Sequence, residues 1–170
     1  MVRVEHVLDT WRTIRQDTVA AVEDFPSDEF DFRPVPELST FGEIARHILN
    51  AGHGLTGLML TGEINLATPD FRERMSRQAV PLAAGAGQAE LAAALRESIA
   101  ARTAALAAQP AGFFDQMITR MDGQQVTRLE MLQMIKEHEL THRAQLFVYL
   151  RMKGLVPAPT RRRMAKAGAR

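Results

Sequence analysis

The sequence of 170 residues fits a single domain, and its shares of apolar residues (46%) and charged residues (24%) are those of an ordinary globular protein. It contains no cysteine, which excludes disulfides, thiolate metal sites and a thiol nucleophile supplied by the chain itself. Any metal must therefore be bound by histidine and carboxylate side chains, and any thiol chemistry requires a thiol from outside the protein.

Charge is unevenly distributed along the chain. Residues 158–170 hold five of the 21 basic residues and no acidic residue, which leaves 16 basic and 20 acidic side chains in the remainder. A mildly acidic body argues against nucleic acid as the main partner. Residues 1–12 have no signal-peptide core, and the longest uncharged stretch, His47–Gly62, is too short for a membrane span. We therefore expect a cytoplasmic protein.

Two long helices are predicted in the first third of the chain. Apolar residues spaced three and four apart predict a helix over Val4–Asp24, ended by the sequence F-P-S-D. Thr40 and Glu43 have the spacing of a capping box, which predicts a second helix that runs to about Leu60. Four glycines weaken its last turns. A short amphipathic helix is possible in Pro69–Gln78.

Two further long helices are predicted in the second half. An alanine-rich stretch with an apolar line predicts a helix over Gln88–Ala108. The segment Phe113–Val126 carries an Asp-Gly turn signal and is either a small hairpin or a loop. A second capping-box pattern, T-x-x-E, predicts a fourth helix over Thr127–Lys153, and Gly154 with the prolines beyond it ends that helix.

Four amphipathic helices without a convincing strand pattern predict an all-α four-helix bundle. The long segment between the second and third helices leaves room for a crossover connection instead of a simple up-and-down order. We expect residues 1–159 to form this bundle. The basic segment 160–170 has no apolar periodicity, so we expect it to be a disordered tail.

Two histidines lie on the apolar stripe of the fourth helix. His138 and His142 are four residues apart, so they lie about 40° from each other around the helix axis and about 6 Å along it. In that geometry two imidazoles can bind one metal ion. Two buried imidazoles without a shared partner would leave polar nitrogens unsatisfied. The spacing therefore predicts a metal site.

The same segment matches the H-E-x-x-H pattern of zinc proteases. Those enzymes take a third ligand downstream, but no Glu, Asp or His follows His142 in this sequence, so a protease site cannot be completed. A third ligand must come from upstream, where the candidates are His6, His47 and His53. His47 lies on the apolar side of the second helix and is the predicted ligand, whereas His6 and His53 are expected to be solvated or at the rim.

The sequence resembles the DinB family, which has the DinB/YfiT-like metalloenzyme fold. The resemblance covers nearly the whole chain up to residue 159. It rests on five short segments: F-R-P (32–34), E-L-S-T (37–40), E-I-A-R-H-I (43–48), H-x-x-x-H-R-A-Q-L (138–146) and L-R-M-K-G (150–154). The resemblance implies a four-helix bundle, often a homodimer, with three histidines on a zinc, nickel or iron ion. It also implies relatives that are S-transferases and isomerases using low-molecular-weight thiols such as bacillithiol or mycothiol.

Further candidate site residues flank the histidines. Glu139 could orient a ligand imidazole or act as a catalytic base, although an exposed helix position is an equal alternative. Gln145 and Tyr149 continue the metal-facing stripe and could bind substrate. Arg33 and Arg143 could bind an anionic group of the substrate, or form surface ion pairs.

Three functions remain open at this level. The preferred hypothesis is a metal-dependent transferase or isomerase that uses an external thiol, acting on a small-molecule substrate, with a hydrolase that activates water on the metal as an alternative mechanism. The second hypothesis is a stress-related metal-binding protein without catalysis. The third is a nucleic-acid accessory protein that acts through its basic tail.

Overall fold

A computed structural model of the protein describes residues 2–83 and 85–168. Its elements in chain order are α1 (Val4–Asp24), a 3-10 turn (Ser27–Glu29), α2 (Phe41–Leu60), α3 (Phe71–Arg77), α4 (Gln88–Ala107), α5 (Ala111–Asp115), β1 (Met117–Thr119), β2 (Gln125–Thr127), α6 (Arg128–Met152) and α7 (Ala158–Gly168). The four long helices α1, α2, α4 and α6 form a bundle, as predicted.

The bundle has an unusual order of helices. Both α1 and α2 pack against α4 and α6. In the part of the chain that the structure describes, α1 and α2 do not pack along each other, and neither do α4 and α6. The helices α1 and α2, which the loop 25–40 joins, therefore occupy diagonal corners of the bundle. This loop passes across one end of the bundle.

The connection between α2 and α4 is a true crossover. Arg46 in the second turn of α2 donates hydrogen bonds to the carbonyls of Ala83 and Ala86, just before α4 begins. Further along both helices, His53 Nδ1 lies 2.9 Å from the Ser98 hydroxyl. Positions on the two helices advance together, so α2 and α4 are parallel neighbours. Segment 61–87 must therefore return along the length of the bundle, which confirms the predicted crossover.

Helix ends follow the capping residues of the sequence. Thr40 accepts a hydrogen bond from the Glu43 backbone while the Glu43 side chain accepts one from Thr40, and Thr127 and Glu130 repeat this arrangement at α6. Gly154, just beyond α6, has a φ of +75°, a conformation that costs glycine least. Both predicted capping boxes are confirmed.

The glycines of α2 do not shorten the helix, because side chains from other helices pack into the space beside them. A Cβ added at Gly52 would lie 3.1 Å from Arg15 Nη2 and 3.2 Å from Trp11 Cζ2, and one added at Gly54 would lie 2.7 Å from Met75 Cε. The missing side chains leave room for Trp11 and Arg15, which reach α2 from α1 across the bundle, and for Met75 of α3. Tertiary packing offsets the weak helix propensity of glycine, so α2 continues to Leu60.

The loop 25–40 is packed and aromatic. Phe25 and Phe41 stack with ring centroids 3.8 Å apart, and Phe32 meets the ring of Tyr149 edge-on at 5.8 Å. Such aromatic pairs contribute about 0.5–1.5 kcal/mol beyond their burial. They hold the loop against the ends of α2 and α6, where it forms one wall of the site described below.

Segment 113–126 contains a hairpin, which settles the alternative left open by the sequence. Strands β1 and β2 pair antiparallel, and Gly123 in the turn has a φ of +84°. The hairpin also anchors the crossover, because the Leu66 amide donates a 2.8 Å hydrogen bond to the Thr119 carbonyl.

The prediction of a disordered tail is wrong for the described residues up to 168, which form α7. Arg161 pairs with Asp24 at 2.7 Å and Arg162 with the buried Asp17 at 2.6 Å. Periodicity did not reveal this helix because charge contacts with α1, not an apolar face, hold it. No helix within the described ranges combines the length and apolar character needed to cross a bilayer.

Candidate metal centre

Three histidines from two helices, α2 and α6, converge on one another. His47 Nε2 lies 3.0 Å from His138 Nε2, which lies 3.1 Å from His142 Nε2. One ring nitrogen from each residue falls within 4.8 Å of the other two. The one-turn spacing on α6 places His138 and His142 side by side, and the packing of α2 against α6 supplies His47. The structure thus brings together the three residues that the sequence singled out as ligands.

The local environment favours the neutral form of two of these imidazoles, His47 and His138. Burial, followed by the neighbouring His142 and His47, lowers the pKa of His138 to about 4. Burial and His142 also lower the pKa of His47. Metal ions bind the neutral form of imidazole. Three imidazole nitrogens that face one another form a donor set suited to a borderline divalent ion such as zinc, nickel or iron.

Gln145 holds one of the three rings in place. Its Oε1 accepts a 2.7 Å hydrogen bond from Nδ1 of His142. A carbonyl oxygen at Nδ1 places the ring proton there and leaves the Nε2 lone pair free to face the other histidines. Partners of this kind orient metal-binding histidines and raise their basicity. Gln145 is therefore placed to orient His142, and its contact with a substrate stays a prediction.

An open groove of about 450 Å³ lies beside the cluster. Its wall combines the loop before α2, the first turns of α2 and the second half of α6. The lining residues are Glu37, Leu38, Ser39, Glu43, Ile44, His47, His142, Gln145, Val148 and Tyr149. The Tyr149 hydroxyl donates a 2.9 Å hydrogen bond to the Ser39 carbonyl, which fastens the loop to α6. Tyr149 thus lines the groove, and its contact with a substrate stays a prediction.

A smaller groove of about 310 Å³ reaches His47 from the other side of α2. It runs between α2 and α3 and is lined by Asn50, Ala51, Arg72, Met75, Ser76 and Ala79 in addition to His47. The histidine cluster is therefore approachable from two directions.

Glu139 does not join the histidine cluster. It is only 2% exposed, and its carboxylate accepts hydrogen bonds from Arg15 Nε (2.7 Å), Arg15 Nη2 (2.8 Å), Trp11 Nε1 (2.6 Å) and Thr18 Oγ1 (2.9 Å). Both oxygens are thus committed to α1. This geometry contradicts an exposed position and gives no support to the predicted role as a base or as an orienting group for a ligand.

The two candidate arginines form ion pairs. Arg33 Nη2 lies 3.9 Å from Glu43 Oε1 at the edge of the groove. Arg143 turns away from the groove, pairs with Asp17 at 3.1 Å and lies over the ring of Phe147 at 5.0 Å. Arg33 thus forms the surface ion pair of the alternative, whereas Arg143 pairs with the buried Asp17. The binding of an anionic group by these arginines stays a prediction.

The remaining histidines lie apart from the cluster. His6 is exposed and its ring contacts Arg3. His53 is half-buried beside Ser98, and burial together with Arg102 and Arg15 lowers its pKa to about 4. The solvated position expected for His6 is confirmed, whereas His53 is more enclosed than expected because α4 covers it.

Sequence reasoning missed the carboxylates of the groove. Glu37 lies in the loop before α2 and lines the groove. Glu43 also lines the groove, in addition to capping the start of α2. The spacing of Glu43 four residues before His47 was a usable signal. Nothing local in the sequence places Glu37 there, because its position depends on how the loop crosses the end of the bundle.

Comparisons with known proteins agree with this architecture. The model of the DinB superfamily matches residues 10–146. No curated protein matches the chain in sequence.

Solved structures share the fold at low identity. The DinB-like protein YjoA from Bacillus subtilis has a TM-score of 0.69 and 21% identity, with 88% of this chain and 92% of that chain covered. YfiT from Bacillus subtilis, a probable metal-dependent hydrolase with an unusual four-helix bundle topology, has a TM-score of 0.70 and 17% identity (89% and 88% covered). A mycothiol-dependent maleylpyruvate isomerase has a TM-score of 0.64 and 16% identity (85% and 61% covered).

Proposed function

The chain belongs to the DinB superfamily, and on that premise we propose that it is a metal-dependent enzyme that binds one divalent ion through His47, His138 and His142. The observation that carries the proposal is the convergence of three ring nitrogens within 4.8 Å, contributed by two different helices. The Nε2 atoms lie 3.0 Å apart in the pair His47–His138 and 3.1 Å apart in the pair His138–His142, a spacing at which one divalent ion can bind all three rings. An ion bound to three neutral imidazoles, with coordination positions left open, lowers the pKa of a water or thiol that binds it.

The residues around the cluster have separate tasks in this proposal. Gln145 holds His142 in the tautomer that binds metal, and Tyr149 fixes the loop that walls the groove. Glu43 lines the groove with one oxygen occupied by the Thr40 amide and the other turned toward Arg33. Its carboxylate, unlike that of Glu139, is available to accept a proton from a substrate in the groove.

The reaction that we favour is transfer or isomerisation with an external low-molecular-weight thiol. The chain has no cysteine of its own, and one of the proteins that share its fold is a mycothiol-dependent isomerase. The groove of about 450 Å³ is large enough for a small-molecule substrate. We place the protein in the cytoplasm, where such thiols remain reduced.

Hydrolysis is the second candidate, and a specific comparison favours it. YfiT, which has the same fold, is a probable metal-dependent hydrolase. In this reaction Glu43 replaces Glu139 as the candidate base, because the Glu139 carboxylate is fully used by α1.

Cobalt substitution separates the two reactions. Bacillithiol, mycothiol, glutathione and coenzyme A are titrated into the cobalt form, and a sulfur ligand is recognised by a new charge-transfer band. We expect binding of one thiol to strengthen as pH rises toward the pKa of the free thiol, because the thiolate is the form that binds. If no thiol perturbs the spectrum, thiol transfer is wrong, and hydrolysis of ester and amide substrates by the zinc, nickel and iron forms becomes the test.

A non-catalytic binding protein is the remaining alternative. It requires that neither thiol nor substrate reaches the ion, although the groove opens directly on His47 and His142. Slow exchange of all metal-bound solvent in the cobalt form, together with a loss of helicity on chelation, would favour this alternative.

A further inference from the structure

Arg72 differs from the other two arginines of α3. Arg74 and Arg77 each pair with a glutamate. Arg72 is exposed, and its guanidinium forms neither an ion pair nor a hydrogen bond with any residue that the structure describes. Arg72 instead lines the groove of about 310 Å³ that leads to His47 between α2 and α3. A cation beside a groove, with its donors unused by the protein, is a group that an anionic ligand can use.

Asn50 supplies a second set of donors from the opposite wall of this groove. It lies three residues after His47 on α2, so the two side chains share one face of the helix. Its side chain is exposed and lines the groove, and within residues 2–83 and 85–168 its amide has no hydrogen-bond partner. Arg72 from α3 and Asn50 from α2 thus offer N–H groups from both walls. None of the described residues that line this groove is acidic.

The two grooves that reach the histidines differ in charge. The larger groove is lined by Glu37 and Glu43, and none of its described lining residues is an arginine or a lysine. Arg33, at its edge, is compensated by Glu43. The smaller groove has Arg72 and no acid in its described lining. An anionic group is therefore repelled from the larger groove and attracted to the smaller one.

Contacts of α3 keep Arg72 in a defined position. The Met75 side chain packs beside Gly54 of α2, where an added Cβ would lie 2.7 Å from Met75 Cε. Arg74 donates a 3.0 Å hydrogen bond to the carbonyl of Asn65 in the crossover segment. Binding groups are most effective on elements that packing and hydrogen bonds hold in place. The wall that carries Arg72 is such an element.

We propose that the groove between α2 and α3 binds a carboxylate of the small molecule that reaches the metal centre, with Arg72 and Asn50 as the residues that determine this specificity. A carboxylate matches the planar fork of a guanidinium, and its remaining lone pairs accept from the Asn50 amide. The inference rests on the proposed function, because the other end of the same molecule binds at the three histidines. It identifies the ligand as an organic acid, whether the acid group belongs to the substrate or to the external thiol.

Two hydroxamates of equal length test the proposal in the cobalt form of the full chain. Succinate monohydroxamate and butanohydroxamate bind a divalent ion through the same group, and only the first ends in a carboxylate. We expect the wild type to bind the first about tenfold more tightly, as measured from the visible spectrum of the cobalt. Arg72→Met removes this preference, Asn50→Ala reduces it and Arg72→Glu reverses it.

Arg77→Met is the matched control. Arg77 belongs to the same helix and is also exposed, but it does not line the groove, so the preference remains. Elemental analysis is expected to show full cobalt content in all four variants, since none of these residues belongs to the histidine cluster.

A second pair of ligands identifies the molecule that carries the carboxylate. The pair is 3-mercaptopropionate and 3-mercapto-1-propanol, which differ in the group at the far end from the sulfur. A preference for the acid that depends on Arg72 assigns the groove to the thiol. The same preference in the hydroxamates alone assigns it to the substrate.

Three results would overturn the proposal while the cobalt site itself stays intact. They are equal affinity for the two hydroxamates or no binding of either, a preference that survives both Arg72→Met and Asn50→Ala, and an equal loss of preference in Arg77→Met, which would reflect overall charge. A chain that binds no cobalt would instead overturn the proposed function, and the carboxylate site with it.

Discussion

His138 and Glu139 are neighbours in the chain but belong to opposite kinds of environment. His138 faces His47 and His142 beside an open groove, with its nitrogens directed at other imidazoles. Glu139 faces α1, where Arg15, Trp11 and Thr18 satisfy its carboxylate completely. One cluster is open to the groove, and the other is closed and paired.

This difference separates a binding site from a structural ion pair. The closed cluster buries Arg15 at 1% exposure and also places a guanidinium nitrogen 3.0 Å from the Leu95 carbonyl of α4. It therefore ties α1, α4 and α6 together. Buried ion pairs of this kind contribute little net stability but strongly resist removal of one partner. Within the described residues, the hydrogen-bond contacts of the three histidines are with one another and with Gln145, not with α1.

The largest expected effect is on metal binding by the open cluster. His142→Ala removes one of three ligands and also leaves Gln145 without its partner. We expect a loss of metal affinity of more than about a hundredfold, since changes at supporting residues alone cost 10–100-fold. Elemental analysis and competition with a chelator measure it. His6→Ala is the control and retains its metal. Equal retention in both variants would show that the cluster is not the metal site.

The closed cluster is expected to respond in stability. Glu139→Gln leaves the Arg15 charge buried without its counterion, so the free energy of unfolding should fall by about 3–5 kcal/mol. Urea unfolding of the metal-free protein measures this change. Glu97→Gln, on the exposed face of α4, should change stability by less than about 0.5 kcal/mol.

The opposite result for Glu139 would reverse the comparison. A variant that keeps its stability but loses metal affinity as far as His142→Ala does would mean that Glu139 serves the metal site after all.

A substitution at Gln145 tests whether this residue supports metal binding by the open cluster. Gln145→Ala removes the hydrogen bond that fixes the His142 ring, and we expect metal affinity to fall by about 10–100-fold with no change in the unfolding midpoint. Gln16→Ala, at an exposed position of α1, is the matched control. Unchanged affinity in Gln145→Ala would mean that packing alone orients His142.

The pKa of His53 offers a test of burial next to the closed cluster. Its pKa is lowered from 6.5 to about 4 by burial and by Arg102 and Arg15, so the unfolded chain binds the proton more tightly than the folded chain. The stability associated with a neutral His53 is therefore complete above about pH 6.5 and is lost as pH falls through about 4. The difference in unfolding free energy between wild type and His53→Gln should change over this window. A constant difference between pH 4 and 6.5 would contradict the lowered pKa.

The smallest effect is expected for α7. Truncation after Pro159 removes the ion pairs of Arg161 with Asp24 and Arg162 with Asp17, while Arg143 still pairs with Asp17. Exposed pairs contribute about 0–1 kcal/mol each, so a small loss of stability and no loss of metal is expected. Denaturation curves measure the stability of the truncated chain, and elemental analysis measures its metal content. Failure of the truncated chain to fold would show that α7 is an essential part of the bundle.

Local patterns in the sequence were enough for the helices and for the three histidines. Apolar periodicity and two capping boxes predicted α1, α2, α4 and α6 within one or two residues of their observed ends. These signals are local, because each depends on residues no more than four apart on one helix. The pairing of His138 with His142 is of the same kind. His47 could be chosen because it shares the apolar side of its own helix.

The other features of the structure depend on contacts between residues that are distant in the sequence. Periodicity could not show that Glu139 lies in the core, since its counterion is 124 residues away. Arg15, four residues after Trp11 on the apolar stripe of α1, was the available signal that a buried acid had to exist somewhere. The groove wall at Glu37, the order of α7 and the diagonal placement of α1 and α2 likewise depend on how the helices pack. Sequence patterns were therefore enough to predict the helices and to single out the three histidines, whereas the packing of the helices sets which carboxylates face the groove and which is buried in the core. The reason is that a side chain's chemistry depends on the groups that surround it, and most of those come from other helices.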